Sequence, residues 1–194
     1  MTKKRILVIA GPTGVGESSI TNKIIKKYPL FTRLVTATTR APRLKEKNKV
    51  DYYFFAKKKF KEEIAKKNIL EHTYIKSRDV YYGTYKKDLD KKIKQNLNII
   101  VNPDIVGAKY FKKNYNATTI FIMPESIDDL RKRQLKRNPD ITKTELNKRL
   151  KYAEYEIENE SYFYDYKVMN KEGKLNQAVL EVKKIIKKEK YNLI

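Results

Sequence analysis

"GPTGVGES", residues 11–18, follows the apolar run "ILVIA" (6–10) and precedes "SSITNKIIKKY" (18–28), where apolar residues recur at intervals of three and four. That succession predicts a strand, a glycine-bearing turn and a helix, with Pro29 closing the helix. A loop so placed is suited to phosphate. Its backbone N–H groups can curl around phosphate oxygens at a helix N-terminus, whose partial positive charge favours anions. Gly11, Gly14 and Gly16 supply the permissive backbone, Pro12, Thr13, Val15 and Ser19 complete the segment, and the hydroxyl of Ser18 stands where such loops ligate Mg²⁺. Glu17 occupies the position of the lysine that ordinarily meets the phosphates. Two unit charges ~4 Å apart in a partly exposed site interact by up to ~4 kcal/mol, so the change of sign is a large perturbation. Three outcomes stand open: arginines elsewhere take over, Glu17 turns away or engages the metal, or phosphoryl transfer is impaired.

Outward from the loop, short apolar runs alternate with amphipathic segments. "FTRLVTA" reads as a second strand and "TTRAPRLKEKNKVDY" as a long polar connection. A compact insert follows, comprising "YYFF", a helix over "KKKFKEEIAKKN", and the strands "ILEHTYI" and "VYYGTY". Next come the helix "KKDLDKKIKQN", the strand "LNIIVN" ended by Pro103, the helix "IVGAKYFKKN" and the strand "TTIFIM". The helices "SIDDLRKRQLKRN" and "KTELNKRLKYAEYEIENE", the strand "YKVMN" and the helix "LNQAVLEVKKIIKKE" complete the order. This alternation predicts an α/β fold in three layers, a parallel sheet with helices on both faces and ligands at the carboxyl ends of the strands.

The chain has 194 residues, 40% hydrophobic and 35% charged, which suits one folding unit or a core with a small inserted lobe. It has no cysteine and one histidine, His72, which excludes disulfides, thiolate metal sites and imidazole-built metal centres. His72 reads as a loop or strand-end residue beside a functional neighbour. The formal charge of +22 is spread along nearly the whole length, where lysines alternate with apolar residues at helical spacing. With no recognition module and no localised basic patch, specific nucleic-acid binding is not expected. "ILVIA" is too short for an export signal or a membrane span, so a cytoplasmic location without membrane attachment is expected.

Further motifs follow in order: "TATTRAPR" (36–43), "VDYYF" (50–54), "ILEH" (69–72), "YYGT" (81–84), "DLRKRQLKR" (129–137), "NKRLKYAEYE" (147–156) and "KVMN" (167–170). With the glycine loop they cover nearly the full length, and the chain resembles guanylate kinase, the P-loop family that moves a phosphoryl group from ATP to GMP. The resemblance implies a core over 1–34, 86–130 and 160–194, a GMP-binding insert over 35–85 and a helical lid over 131–159. It implies that Thr36, Arg40, Arg43, Tyr52 and Tyr82 hold the GMP phosphate, for which guanidinium forks and hydroxyl donors are chemically apt. Glu71 matches the acid that reads guanine, since a carboxylate can accept from the ring N–H and the exocyclic amine, and Thr84 matches a hydroxyl on the base's other side. Arg133, Arg137 and Arg149 match lid arginines that close over ATP and the transferring phosphoryl, and Asn170 matches an adenine-side residue. ATP and Mg²⁺ are the implied cofactors, and a monomer or weak dimer is expected.

Two departures fall near the phosphates. Glu17 is one. In "IIVNPDIVG" (99–107) the family's Asp-x-Asp pair becomes Asn102 and Asp104, so one carboxylate stays near the reacting groups and the acceptor pocket. The stretch "HTYIKSRDV" (72–80) is also longer than is usual in the family. These substitutions leave two functional expectations: an active ATP-dependent guanylate kinase that relies on the loop backbone, Ser18 and the arginines, or a degenerate relative that binds GMP or a phosphorylated ligand without transfer.

Overall fold

All five residues of "ILVIA" are buried, and a strand without a polar face needs cover on both sides. The computed structural model, which describes residues 5–44 and 46–193 and only the backbone of residue 77, provides it. Residues 1–4 and 194 of the expected core and residue 45 of the long connection lie outside the described residues. The strands are β1 (Ile6–Ala10), β2 (Phe31–Arg33), β3 (Ala37–Thr38), β4 (Tyr53–Phe54), β5 (Ile69–Ile75), β6 (Val80–Tyr85), β7 (Asn98–Val101), β8 (Thr118–Met123) and β9 (Tyr166–Met169). The helices are α1 (Glu17–Lys27), α2 (Lys57–Ala65), α3 (Lys86–Lys94), α4 (Ile105–Tyr115), α5 (Ile127–Arg137), α6 (Lys143–Tyr155) and α7 (Leu175–Lys188).

The central sheet runs β2-β7-β1-β8-β9, and every pairing in it is parallel. Side chains alternate across β1 as the pleat requires. Leu7 and Ile9 enter one core with Ile20 and Ile24 of α1, Val182 and Ile186 of α7, and Leu146 and Leu150 of α6. Ile6, Val8 and Ala10 enter the other, with Leu89 of α3 and Ala108 and Phe111 of α4. The expected three-layer α/β fold is therefore present.

A second sheet, β4-β3-β6-β5, stands apart, and its β3–β6 and β5–β6 pairings are antiparallel. Phe60 of α2 fills its small core with Ala37, Ile69 and Tyr85. Here the expectation of one strand over "FTRLVTA" is corrected: the segment serves two sheets. Leu34 N still donates to Ile100 O of the central sheet (2.8 Å), but Val35 N donates to the Asp88 carboxylate (2.9 Å), and pairing resumes at Ala37 in the other sheet. Local apolar pattern cannot distinguish a continuous strand from one that changes sheets.

The single helix expected over 143–160 is also divided. α6 gives way to a wide π turn at Glu156–Glu160 and a 3₁₀ turn at Ser161–Phe163. Leu146, Leu150 and Ala153 face the first core, whereas Tyr164, with Ile157 and Phe163, packs into the second. Continued α-helical periodicity would not carry the chain from one face of the sheet to the other, and the extra residue per turn does so. Among the described residues no helix is long and apolar enough to cross a membrane.

Asp88 ties the two sheets together. It is buried, accepts from Val35 N and from the Tyr53 hydroxyl (3.3 Å), and pairs with Lys92. Asp88→Ala orphans a buried backbone donor, which costs about 1–3 kcal/mol before the loss of the ion pair is added. Urea unfolding should record a destabilisation of at least that size; an unchanged midpoint would contradict this role for Asp88.

Candidate active site

The glycine loop is held from behind. Gln134 Nε2 donates to Thr13 O (3.1 Å), while Val15 O accepts from Arg133 Nη1 (3.1 Å) and Asn170 Nδ2 (2.7 Å). Arg133 also donates to Asn170 O (2.8 Å) and to the Glu172 carboxylate (2.9 Å). In a trans peptide the C=O and the next N–H point in opposite directions. Clamping the carbonyls of Thr13 and Val15 therefore turns the N–H groups of Gly14 and Gly16 the other way, toward the cleft. Gly16 caps α1 at φ 102°, and a Cβ there would stand 2.5 Å from Asn170 Nδ2, so both conformation and space demand glycine. Val15 N closes the turn on Pro12 O (2.9 Å), and Thr13, Ser18 and Ser19 are exposed.

Glu17 is the first residue of α1. It keeps some accessible surface, but burial at the base of the cleft pushes its carboxyl up to about 8, against the pull of the Arg137 and Arg33 guanidinium groups. Glu156 in the π turn behaves alike: burial, then the charges of Glu160, Glu17 and Asp104, push it up to about 8. The helix N-terminus alone would favour a carboxylate. Desolvation outweighs it here.

Asn102 lies behind the loop, where its Nδ2 donates to Ile9 O (2.7 Å) and Thr21 Oγ1 (3.1 Å), tying β1 to α1. Asp104 caps α4, its Oδ1 accepting from Val106 N (3.0 Å) and Gly107 N (3.1 Å). No group of three acidic, imidazole or thiolate side chains among the described residues would hold a metal unaided. The donor set suits Mg²⁺ carried in on nucleotide phosphates, with the exposed Ser18 hydroxyl at hand, because that ion keeps most of its ligands from water and phosphate.

Across the cleft, both Nη groups of Arg40 grip the Glu46 carboxylate at 2.9 Å, and Arg43 N donates to it at 2.8 Å. The Arg40 guanidinium lies 5.4 Å from the Tyr52 ring centroid, and the Tyr52 and Tyr82 rings meet edge to face at 6.1 Å. Thr36, half-buried, lies where the chain crosses between sheets. Thr84 Oγ1 donates to Glu71 Oε1 (2.6 Å). Burial pushes the Glu71 carboxyl up to about 7, the Thr84 bond opposing and the Asp104 charge adding. Gly107 admits this approach, since a Cβ there would meet Pro103 at 2.6 Å and Glu71 Oε1 at 3.3 Å. His72 lies within β5 rather than at its end, beside a pairing irregularity, with its ring near Phe60 and Tyr81.

The three lid arginines are used differently. The charge of Arg137, at the end of α5, acts to lower the pKa of both Glu17 and Arg43. Arg133 is committed to Val15 O of the loop, Asn170 O and Glu172. Arg149 Nε donates to Glu145 Oε1 (2.8 Å), which also accepts from Arg78 of the insert (3.1 Å), joining insert to lid. Sequence reasoning missed Glu46 and Glu145, although Arg43–Glu46 at i,i+3 and Glu145–Arg149 at i,i+4 were legible spacings, and it missed Gln134 and Arg78, whose partners are distant in sequence. It also missed Arg33, for which the lone charge in "FTRLVTA" was the available signal.

A glycine loop between the first strand of a parallel sheet and a helix, facing a small inserted sheet, defines a phosphate-loop nucleotide-binding α/β protein. The "Guanylate kinase" family model matches residues 3–189. The chain is similar to guanylate kinases of Porphyromonas gingivalis (34% identity, 96% of this chain and 97% of the relative) and Clostridium acetobutylicum (38%, 98% and 88%). It also resembles the crystal structure of guanylate kinase from Anaplasma phagocytophilum, with TM-score 0.76 and 27% identity over 99% of this chain and 89% of that one. The chain belongs to the guanylate kinase family.

Because Glu17 has its pKa raised from the usual 4.5 to about 8, the native state favours its protonated form. The associated stability is complete below about pH 4.5 and is lost as pH rises through 8. Glu17→Gln cannot titrate there, so its melting temperature should exceed that of the native chain by more at pH 9 than at pH 5. Calorimetric melting at the two pH values checks this, and equal offsets would refute it.

Proposed function

We propose that the chain is an ATP-dependent guanylate kinase: a GMP phosphate oxygen bonds to the γ-phosphorus of ATP, the bond to the β–γ bridging oxygen breaks, and ADP and GDP leave. What carries this reading is a glycine loop whose Thr13 and Val15 carbonyls are clamped by Gln134, Arg133 and Asn170, in a chain of the guanylate kinase family. A module that only bound GMP would have no use for a loop held ready for a second nucleotide. Residues 35–85 act as the acceptor lobe, 131–159 as the lid, and 1–34, 86–130 and 160–194 as the core.

In this reading Thr36, Arg40, Arg43, Tyr52 and Tyr82 bind the GMP phosphate. The two-pronged grip of Arg40 on Glu46 is the geometry an incoming phosphate would compete for. Glu71, steadied by Thr84 and beside Asp104, reads guanine, whose two donors favour its ionised form. The backbone of residues 11–16 and the Ser18 and Ser19 hydroxyls cradle ATP, with Asn170 bracing the loop on the adenine side. Arg133 positions the loop, while Arg137 and Arg149 screen charge as the lobes close and exclude water. The Ser18 hydroxyl would hold Mg²⁺, which when bound would supply neutralisation of phosphate charge.

Glu17 and Asn102 favour a second reading, in which GMP binds without transfer. A coupled assay for ADP formation, run beside GMP calorimetry, separates the two. Turnover requiring both nucleotides supports the kinase, GMP binding without turnover selects the second reading, and absence of both overturns the two together. Arg43→Ala should weaken GMP binding by roughly 10–100-fold, the loss expected for a charged hydrogen bond worth about 1.5–3 kcal/mol. Unchanged GMP affinity in that variant would remove Arg43 from the pocket.

A further inference from the structure

Nucleotide phosphates would bring several negative charges to a loop whose own side chain at the decisive position is acidic. Some cation fixed near the start of α1 has to answer those charges, which Glu17, protonated or not, cannot do. Arg33, the last residue of β2, reaches across to that first turn. Its Nη2 donates to Ser18 O (3.3 Å) and to Asn22 Oδ1 (3.2 Å), so it is fastened to the helix that carries Glu17 and Ser18. Both bonds come from one nitrogen and both acceptors are neutral.

The rest of the guanidinium is unspent. Arg33 Nε is buried without a hydrogen-bond partner, a costly state for a donor inside a protein. No ion pair joins Arg33 to Glu17 among the described residues, although the charges of Tyr52, Asp51 and Glu17 all act on it. A fork anchored through Nη2 alone, with its other donors uncommitted among the described residues, has the arrangement used to grip a phosphate.

We infer that Arg33 supplies the phosphate-binding cation in place of the missing loop lysine, contacting the phosphates of the bound triphosphate. The charge has moved from the loop to the neighbouring strand. This inference rests on the nucleotide-binding reading above but not on turnover.

The test measures Mg·ATP and GMP binding by calorimetry for the native chain, Arg33→Gln, Arg33→Lys, Glu17→Lys and the Arg33→Gln/Glu17→Lys double variant, with circular dichroism and melting to verify folding. Arg33→Gln should weaken Mg·ATP binding by about tenfold or more while GMP binding changes less than about twofold. Arg33→Lys should fall between. Glu17→Lys should restore Mg·ATP binding in the double variant and gain much less when Arg33 is present, because the two cations serve one purpose. An arginine that only braced α1 would lower the melting temperature, and a lysine at 17 would not restore binding. Unchanged Mg·ATP affinity in Arg33→Gln, a loss that Glu17→Lys leaves in place, or no Mg·ATP binding by the native chain overturns the inference. Failure of phosphoryl transfer alone counts against the kinase reading, and the binding series still decides the role of Arg33.

Discussion

A loop can present its amides to an anion only if its carbonyls are engaged elsewhere. Here Gln134, Arg133 and Asn170 take the carbonyls of Thr13 and Val15, and the cleft is shaped by what that leaves free. The clamp joins α5, the end of β9 and the β1–α1 turn, so a helix outside the sheet and the core sheet set the loop's conformation together. It also explains why Gly16 tolerates no side chain: Asn170 already stands there. Pre-set donors of this kind avoid reorganisation when a phosphate arrives.

Against that fixed frame the charge distribution is unusual. Glu17 stands at a helix start that would welcome an anion, and the charges of Arg137 and Arg33 act on it, while its own acts on Glu156. Burial decides the balance by favouring the protonated acid over the carboxylate. A neutral Glu17 repels a phosphate far less than a charged one. The acid is therefore compatible with a phosphate loop as long as the cleft stays desolvated and the arginines remain close.

The acceptor side is built on the same economy of charge. Arg40 and Arg43 converge on Glu46, which holds them in register before any ligand is present. Glu71 is buried beside Thr84 and close to the capped start of α4, an approach that only glycine at 107 permits. The Arg78–Glu145–Arg149 contact links the longer β5–β6 connection to the lid, so the two sides of the cleft communicate through a solvent-accessible ion pair rather than a shared core.

Much of this was legible in the chain itself. Alternating apolar runs and amphipathic segments determined the order of strands and helices, the parallel sheet and its helical cover, because burial on one or two faces leaves a periodic trace. The glycine spacing marked the loop, and the motif residues around it implied the chemistry proposed for the pocket. Tertiary structure alone decided that "FTRLVTA" splits between two sheets, that α6 widens into a π turn, that Arg133 braces the loop, and that Arg33 bonds the first turns of α1. Several of these depend on partners distant in sequence: Arg133 bonds Val15 across 118 positions, and Val35 bonds Asp88 across 53. Periodicity records which face of an element is buried, but it carries no information about which distant group waits there.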